Sequence, residues 1–181
     1  MAEKTLTVLE IGAGKNFERA LKTAQEHPAW TVIAIDPEIR NEESPLPNLI
    51  LIPRKFPDPF ITRGGYKIDL VEMYHLGPPF LVIGAPPAIR GHAYAWLNAP
   101  NRWLAKKCEI RIVDNNVTQF YHTDRTSFMS FFDRFKKILQ NKGYKVELEE
   151  VAADKFEKIS FWDRAFLSKW TCHVMIKITR D

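Results

Sequence analysis

Apolar segments alternate with amphipathic segments along the first third of the chain. Residues 5–11, 30–36 and 49–53 are rich in β-branched and apolar side chains, which predicts three buried strands. The apolar positions between the first two recur at helical spacing: Phe17, Ala20, Leu21 and Ala24. This pattern predicts a helix that has Asn16 as its N-cap and stops at Pro28.

The middle of the chain is harder to interpret. The apolar positions of residues 66–77 fit neither a helical nor a strand period. We predict a helix there, because 79–87 makes a better central strand, and a second helix over 91–107. In the alternative, 66–77 is the fourth strand, and Tyr74 and His75 then stand at its end.

The last third of the chain has clearer patterns. Residues 108–116 predict a strand, and 126–144 predict an amphipathic helix that stops at Gly143. Residues 144–151 and 171–178 alternate between apolar and polar side chains, as antiparallel strands do.

The order of these elements predicts an α/β fold. Strands that alternate with helices favour a mostly parallel sheet with helices on both faces, a three-layer Rossmann-like arrangement, here with a C-terminal antiparallel hairpin. We expect a single domain over 1–181. The 12 residues between the second and third strands, 37–48, are too few for the usual crossover helix. Either this link is extended, or the third strand leaves the sheet and truncates one edge, which a partner subunit could cover.

Two glycines follow the first strand in the segment "EIGAGKN". Ligands of open parallel sheets bind at the carboxyl ends of the strands, and Gly12 and Gly14 occupy that place. Without Cβ atoms, they allow a sharp turn and the close approach of a ligand to the backbone. Asp36, 22 residues after Gly14, ends the second strand, where a carboxylate accepts hydrogen bonds from a ribose. The alternatives are a turn that binds nothing and a nicotinamide site, which would need glycine in place of Phe17.

The same segment resembles the first motif of the class I S-adenosylmethionine-dependent methyltransferases, acidic–x–Gly–x–Gly–x–Gly. Glu10, Gly12 and Gly14 match it, and Asn16 replaces the third glycine. That family ends its sheet with a helix and a β-hairpin, so the resemblance spans nearly the whole chain. It implies S-adenosyl-L-methionine as cofactor and the following cofactor-binding residues: Glu10, Gly12, Ala13, Gly14, Asn16, Asp36, Pro37 and Gly84.

The resemblance also implies that the fourth strand ends beside the reactive methyl group. The segment "VIGAPPAIRGHAY" (82–94) is similar to an Asp-Gly-Pro-Pro…Arg segment of some small-molecule methyltransferases. The matching residues are Pro86, Pro87 and Arg90. We predict Arg90 and His92 as catalytic residues, with His92 as the base because a histidine titrates near neutral pH. A solvent-facing loop histidine is the plainer alternative. Tyr121 and His122 are further candidates.

Two other family signatures are incomplete. Asp114 and Asn115 are similar to the Asp-Asn pair of Mg²⁺-dependent O-methyltransferases, but Gly84 stands where their third carboxylate belongs, so we predict no metal site. Residues 56–60, "FPDPF", are similar to the Phe-Pro-Asp-Pro-Trp signature of tRNA guanine-N7 methyltransferases. That signature ends a fourth strand, whereas here it follows the third, so we interpret it as a loop rigidified by proline.

Composition adds little to this picture. The chain of 181 residues is 45% hydrophobic and 27% charged, as ordinary globular proteins are. The net charge of +4 slightly favours an anionic partner such as nucleic acid, although the basic residues are spread along the chain. Cys108 and Cys172 have no metal or redox spacing and predict reduced, buried thiols. No signal peptide or membrane segment is visible, so we expect a cytoplasmic protein.

The sequence therefore predicts an S-adenosylmethionine-dependent methyltransferase whose acceptor is a small molecule or RNA. The alternative is a degenerate, methyltransferase-like binding module without methyl transfer. Besides the unidentified acceptor, nucleic acid and a second copy of the chain remain open as partners, and no membrane is expected.

Overall fold

The structure, a computed structural model, describes residues 4–40, 43–74, 103–115, 125–151 and 173–180. The strands in this part of the chain are β1 (Thr7–Ile11), β2 (Thr31–Ile35), β3 (Leu49–Ile52), β4 (Ile68–Tyr74), β5 (Leu104–Asn115), β6 (Lys145–Val151) and β7 (His173–Arg180). The helices are α1 (Glu18–Glu26), α2 (Pro59–Arg63) and α3 (Arg125–Gln140).

All seven strands form one sheet in the order β3-β2-β1-β4-β5-β7-β6. The five strands from β3 to β5 are parallel, and β7 runs antiparallel to both β5 and β6. The predicted α/β class, mostly parallel sheet and C-terminal hairpin are therefore confirmed. The strand order reverses at β1, so β1 and β4 lie side by side at the centre of the sheet.

Helices cover both faces of the sheet. Along β2, Val32 and Ala34 pack in a cluster with Ala20 and Ala24 of α1. The alternate residues of β2 point to the opposite face, where the larger core includes Phe132 and Leu139 of α3. The sheet is thus the middle of three layers.

The short link between β2 and β3 is built without a helix in its described residues, 36–40 and 43–48. Ile39, which is 3% exposed, and Leu46 pack against the cluster that α1 forms with the sheet. They supply part of the apolar cover that a crossover helix would give. β3 stays parallel to β2 at the edge of the sheet, so the third strand does not leave the sheet.

The predicted helix over 66–77 is wrong, because Ile68–Tyr74 forms the central strand β4. The register between β4 and β5 shifts between Ile68 and Leu70. As a result the buried residues of β4 are Ile68, Val71 and Met73, whose first spacing is three instead of two. This irregularity explains why the apolar positions fit no single period. The alternative fourth strand, 79–87, lies outside the described residues.

The predicted helix over 91–107 is wrong at its C-terminal end. β5 begins at Leu104, four residues before the strand expected at 108–116, and continues to Asn115. Trp103, just before it, is 3% exposed and packs in the main core with Leu104. Together the two large apolar side chains favour a buried strand start over an exposed helical turn.

A short helix, α2, begins within residues 56–60, which were predicted to form a loop. α2 begins at Pro59, and the Asp58 carboxylate accepts a hydrogen bond of 2.8 Å from the backbone N–H of Phe60. Aspartate at the N-cap followed by proline at the first helical position is a common helix start, so the signal was present in the sequence.

The later elements agree with the sequence analysis. α3 ends three residues before Gly143, whose φ of +81° is the left-handed conformation that glycine favours after a helix. Cys108 is buried and free, and burial raises the pKa of its thiol, whereas Cys172 lies outside the described residues. Within those residues, no helix is long and apolar enough to cross a membrane.

Candidate cofactor site

The loop between β1 and α1 turns at two glycines. Gly12 and Gly14 have φ values of +73° and +72°, a left-handed region that other residues enter only with strain. The Gly12 N–H donates a hydrogen bond of 2.9 Å to the carbonyl oxygen of Ile35, and Ala13 N–H donates to the same oxygen at 3.4 Å. The loop is therefore held against the carboxyl end of β2, as the motif predicts.

Gly14 also borders open space. A Cβ atom placed on this residue would have no heavy atom of the described residues within 4 Å, apart from its chain neighbours. Packing against the described residues therefore gives no reason for the missing side chain. The backbone conformation gives one reason, and a ligand that lies against the main chain would give another.

Asp36 joins the end of β2 to the glycine loop. Its Oδ2 accepts a hydrogen bond of 3.1 Å from the Gly14 N–H, and its Oδ1 accepts one of 2.7 Å from the Glu38 N–H. A carboxylate oxygen can accept two hydrogen bonds, so each oxygen keeps capacity for a ligand hydroxyl. The half-buried Asp36 and the glycines, predicted from separate motifs, thus lie together at one site.

The predicted N-cap Asn16 is wrong. The helix α1 begins at Glu18, and its N-cap is Phe17, with φ of 42° and ψ of 36° and no side-chain cap hydrogen bond. A phenylalanine in this left-handed conformation costs about 1–3 kcal/mol. The Phe17 side chain is partly buried against the α1 cluster, which gives the residue a packing role that holds the turn. Asn16 is exposed, and its predicted role in cofactor binding stays a prediction.

Glu10 is 1% exposed and forms an ion pair with α1, with its Oε1 3.0 Å from Nε of Arg19. Burial raises the pKa of Glu10 to about 7, against the opposing influence of Arg19. The negative charge of Glu72 raises this pKa further, and the backbone N–H of Ala20 lowers it. The second carboxylate oxygen, Oε2, is buried and has no hydrogen-bond partner among the residues that the structure describes.

A row of charged residues extends from Glu10 across the sheet. Glu72 of β4 is opposite Glu10, and Arg111 of β5 is opposite Glu72. Arg111 Nη1 lies 3.4 Å from Glu72 Oε1, and Arg111 Nε forms a second ion pair with Glu109. Lys177 of β7 lies 3.2 Å from Glu109. This row was not predicted, because strand register, which aligns these residues, cannot be read from one sequence.

The predicted catalytic residues Arg90 and His92 lie outside the described residues, as do Gly84, Tyr121 and His122. The strand assignment on which Gly84, Arg90 and His92 rested is wrong, since the fourth strand ends at Tyr74. β1 and β4 are neighbouring parallel strands, and Ile11 is paired with Met73. Gly12 and Tyr74 are the residues that follow this pair in the chain. The residues at the end of β4 therefore adjoin the glycine loop.

The remaining predicted residues have simple environments. Ala13 is partly buried, and Pro37 is exposed beside Asp36. Their roles in cofactor binding stay predictions. Asp114 and Asn115 are the last residues of β5, not part of a turn. The described part of the chain contains no group of three metal-ligating side chains, and the absence of a metal stays a prediction.

No protein-family profile and no curated protein sequence matches the chain. Among solved structures, a variant of the 16S rRNA (adenine(1408)-N(1))-methyltransferase from Catenulisporales acidiphilia, solved with cosubstrate SAM, superimposes with a TM-score of 0.66 at 16% identity, over 97% of this chain and 85% of that one. The 16S rRNA methyltransferase KamB gives a TM-score of 0.66 at 14% identity, over 97% and 88%.

A third structure is similar over the same extent. The aminoglycoside resistance methyltransferase NpmB1 gives a TM-score of 0.60 at 14% identity, over 97% of this chain and 87% of that one. At these identities the likeness shows the fold. The chain has the class I S-adenosylmethionine-dependent methyltransferase fold, with its seven-stranded sheet and C-terminal antiparallel pair.

Proposed function

We propose that this protein is an S-adenosylmethionine-dependent methyltransferase. The observation that carries the proposal is the arrangement at the end of β1 and β2. There the positive-φ glycine loop borders open space at Gly14, and Asp36 is bound to the Gly14 N–H. In the fold that the chain shares with its structural neighbours, this edge of the sheet is the expected ligand site.

The residues present fit the proposed cofactor. The backbone of Gly12, Ala13 and Gly14 would lie against it, and the spare acceptor capacity of Asp36 suits the two hydroxyls of a ribose. S-adenosylmethionine supplies a methyl group already activated on a sulfonium. The protein then has to align the acceptor with that methyl group and, where the acceptor carries a proton, remove it.

The acceptor side of the site is assigned to the end of β4. Because β4 ends at Tyr74, beside the glycine loop, Tyr74 and His75 replace the residues of 82–94 as the first candidates for contact with the acceptor. His92 and Arg90 remain candidates from the sequence. Variants Tyr74→Phe and His75→Ala, compared with Arg90→Ala and His92→Ala, separate the two assignments. We expect one pair of variants to lower kcat without changing S-adenosylhomocysteine binding. The two residues replaced in that pair are then the ones that face the acceptor.

We further propose RNA as the acceptor. The structural neighbours are named as enzymes of 16S rRNA, and the net charge of +4 suits a polyanion. The test is transfer of tritiated methyl from S-adenosylmethionine to small ribosomal subunits, free ribosomal RNA, transfer RNA, a protein extract and a small-molecule extract. Label in RNA supports this acceptor, and label only in the protein or small-molecule fraction overturns it.

The cofactor proposal is tested by isothermal titration with S-adenosylhomocysteine. Gly14→Leu should abolish measurable binding, because the new side chain would occupy the open space beside the loop. Gly143→Leu is the matched control. Gly143 has a φ of +81°, also borders open space, and lies at the opposite end of the sheet, just before β6. Both variants carry a similar backbone penalty of about 1–2 kcal/mol. If the two bind equally well, or if the native protein does not bind, the site assignment fails.

The non-catalytic alternative has a different signature. A degenerate binding module would retain RNA or protein partners but transfer no methyl group to any fraction of the host cell. Native protein that binds S-adenosylhomocysteine and labels one fraction excludes this alternative.

A further inference from the structure

We propose that Arg19 is a positioning residue for the cofactor, because its ion pair with Glu10 fixes the α1 side of the glycine loop. The inference rests on the proposed function, since it assigns a role in binding the cofactor named there. It concerns a residue that the first motif does not include.

The Glu10–Arg19 ion pair connects the two ends of the glycine loop. Glu10 stands two residues before Gly12 at the end of β1, and Arg19 is the second residue of α1. The loop lies between them, so the 3.0 Å contact ties the strand that enters the loop to the helix that leaves it. The Glu10 side chain is buried and the Arg19 side chain is partly buried, with 2% and 12% of their surface exposed, so solvent screens the interaction little.

Glu10 also serves the first turn of α1. The N-cap Phe17 has no side-chain acceptor, so the helix start lacks the usual local cap. The backbone N–H of Ala20, in the first turn, favours the ionised form of the Glu10 carboxyl. A negative charge beside the N-terminus of a helix is favourable. The ionised pair therefore orients the helix start as well as the loop.

The other side of the loop is held differently. Gly12 and Ala13 donate to the Ile35 carbonyl, and the Gly14 N–H donates to Asp36. These contacts fix the loop to β2 and do not involve α1. Loss of the Glu10–Arg19 pair would leave the β2 side in place while α1 and Phe17 are free to shift. A misplacement of about 1 Å can cost an enzyme about a hundredfold in rate, so a shift of this loop should be measurable.

Protonation of Glu10 would break the pair. The groups that face this carboxyl are Arg19 and the Ala20 N–H from α1, Glu72 from β4 and the apolar Ala34 from β2. Burial and Glu72 favour the proton, and Arg19 opposes it. Because the pKa of Glu10 is about 7, the pair is about half ionised at pH 7, nearly complete by pH 8 and mostly lost by pH 6. Cofactor affinity should follow the same course.

The test is the Kd of S-adenosylhomocysteine, measured by isothermal titration from pH 6 to pH 8. For the native protein we expect affinity to weaken about fivefold from pH 8 to pH 6, because about a tenth of Glu10 is still ionised at pH 6. Glu10→Gln should bind about tenfold more weakly at pH 8, with little pH dependence. Arg19→Met should do the same, because Glu10 then has no partner in α1 and burial favours its protonated form. The double variant should match the single ones, and Arg19→Lys should restore part of the affinity.

A second ion pair on the same helix provides the control. Lys22 and Glu26 are 3.7 Å apart and exposed, and Lys22→Met should leave the Kd and its pH profile unchanged. A purely structural role for Arg19 would lower the melting temperature without altering the pH profile of binding. Native protein that binds with a flat profile, or Arg19→Met that binds as the native protein does, overturns this inference and leaves the proposed function standing. Native protein that does not bind at any pH removes both.

Discussion

Replacement of Glu10 by glutamine should change how the stability of the protein depends on pH. Glu10 is 1% exposed, and its pKa is raised from 4.5 to about 7 by burial. Between these two values the folded protein keeps a proton that the unfolded chain has released. The contribution of Glu10 to stability is therefore fully present below pH 4.5 and is lost as the pH rises through 7. Glutamine has no proton to lose, so this contribution disappears in Glu10→Gln.

The size of the effect follows from the two pKa values. A difference from 4.5 to about 7 corresponds to about 3 kcal/mol, at about 1.4 kcal/mol for each pKa unit. Most of this change falls between pH 5 and pH 8. Other groups titrate as well. Burial raises the pKa of Glu109, but the hydrogen bond and charge of Arg111 outweigh it and lower that pKa overall. Because Glu109 is present in both proteins, its contribution cancels in their difference.

The assay is urea unfolding of the native protein and Glu10→Gln at half-unit steps from pH 5 to pH 8, followed by tryptophan fluorescence and by circular dichroism. The free energy of unfolding of the native protein, minus that of the variant, should fall by about 2–3 kcal/mol across this range. A difference that stays constant with pH would refute the reasoning, because Glu10 would then have an ordinary pKa in the folded state.

Three further predictions concern single side chains. Asn48→Ala should lower the free energy of unfolding by about 1–3 kcal/mol in urea titrations, because Asn48 Nδ2 donates to three backbone carbonyls around the end of α1; a loss below about 0.5 kcal/mol would contradict this. Asp58→Ala should lower the free energy of unfolding by about 1 kcal/mol in the same assay, because α2 loses its N-cap. Arg54→Ala should lower it much less, because the Arg54 side chain that pairs with Asp58 is exposed. Asp36→Ala should weaken S-adenosylhomocysteine binding by about 1–3 kcal/mol in isothermal titration. Unchanged affinity would show that Asp36 serves the loop alone.

The sequence predicted those parts of the fold whose pattern is local. The β-branched runs of β1, β2 and β3 and the amphipathic α3 were correctly placed, because burial on one or both faces leaves a clear period. β4 was wrongly predicted because its register shift between Ile68 and Leu70 breaks that period. This irregularity depends on the pairing with β5, which is distant in the chain.

The candidate site shows the same division. Gly12, Gly14 and Asp36 could be found from residue type and spacing, since their roles depend on backbone conformation and strand ends. The ion pair of Glu10 with Arg19 could not, because it depends on which side of α1 faces β1. The left-handed Phe17 was also missed, because its packing against the α1 cluster, and not its local preference, selects that conformation.

The bond between Asp36 and the Gly14 N–H has a consequence for the kinetics of binding. The carboxylate is already oriented by two backbone N–H donors, so a cofactor would meet a preorganised acceptor and need not order a mobile side chain. Little conformational entropy would then be lost on association. We expect association with S-adenosylhomocysteine to be fast and free of a slow isomerisation step, with the dissociation rate setting differences in affinity among variants of this loop.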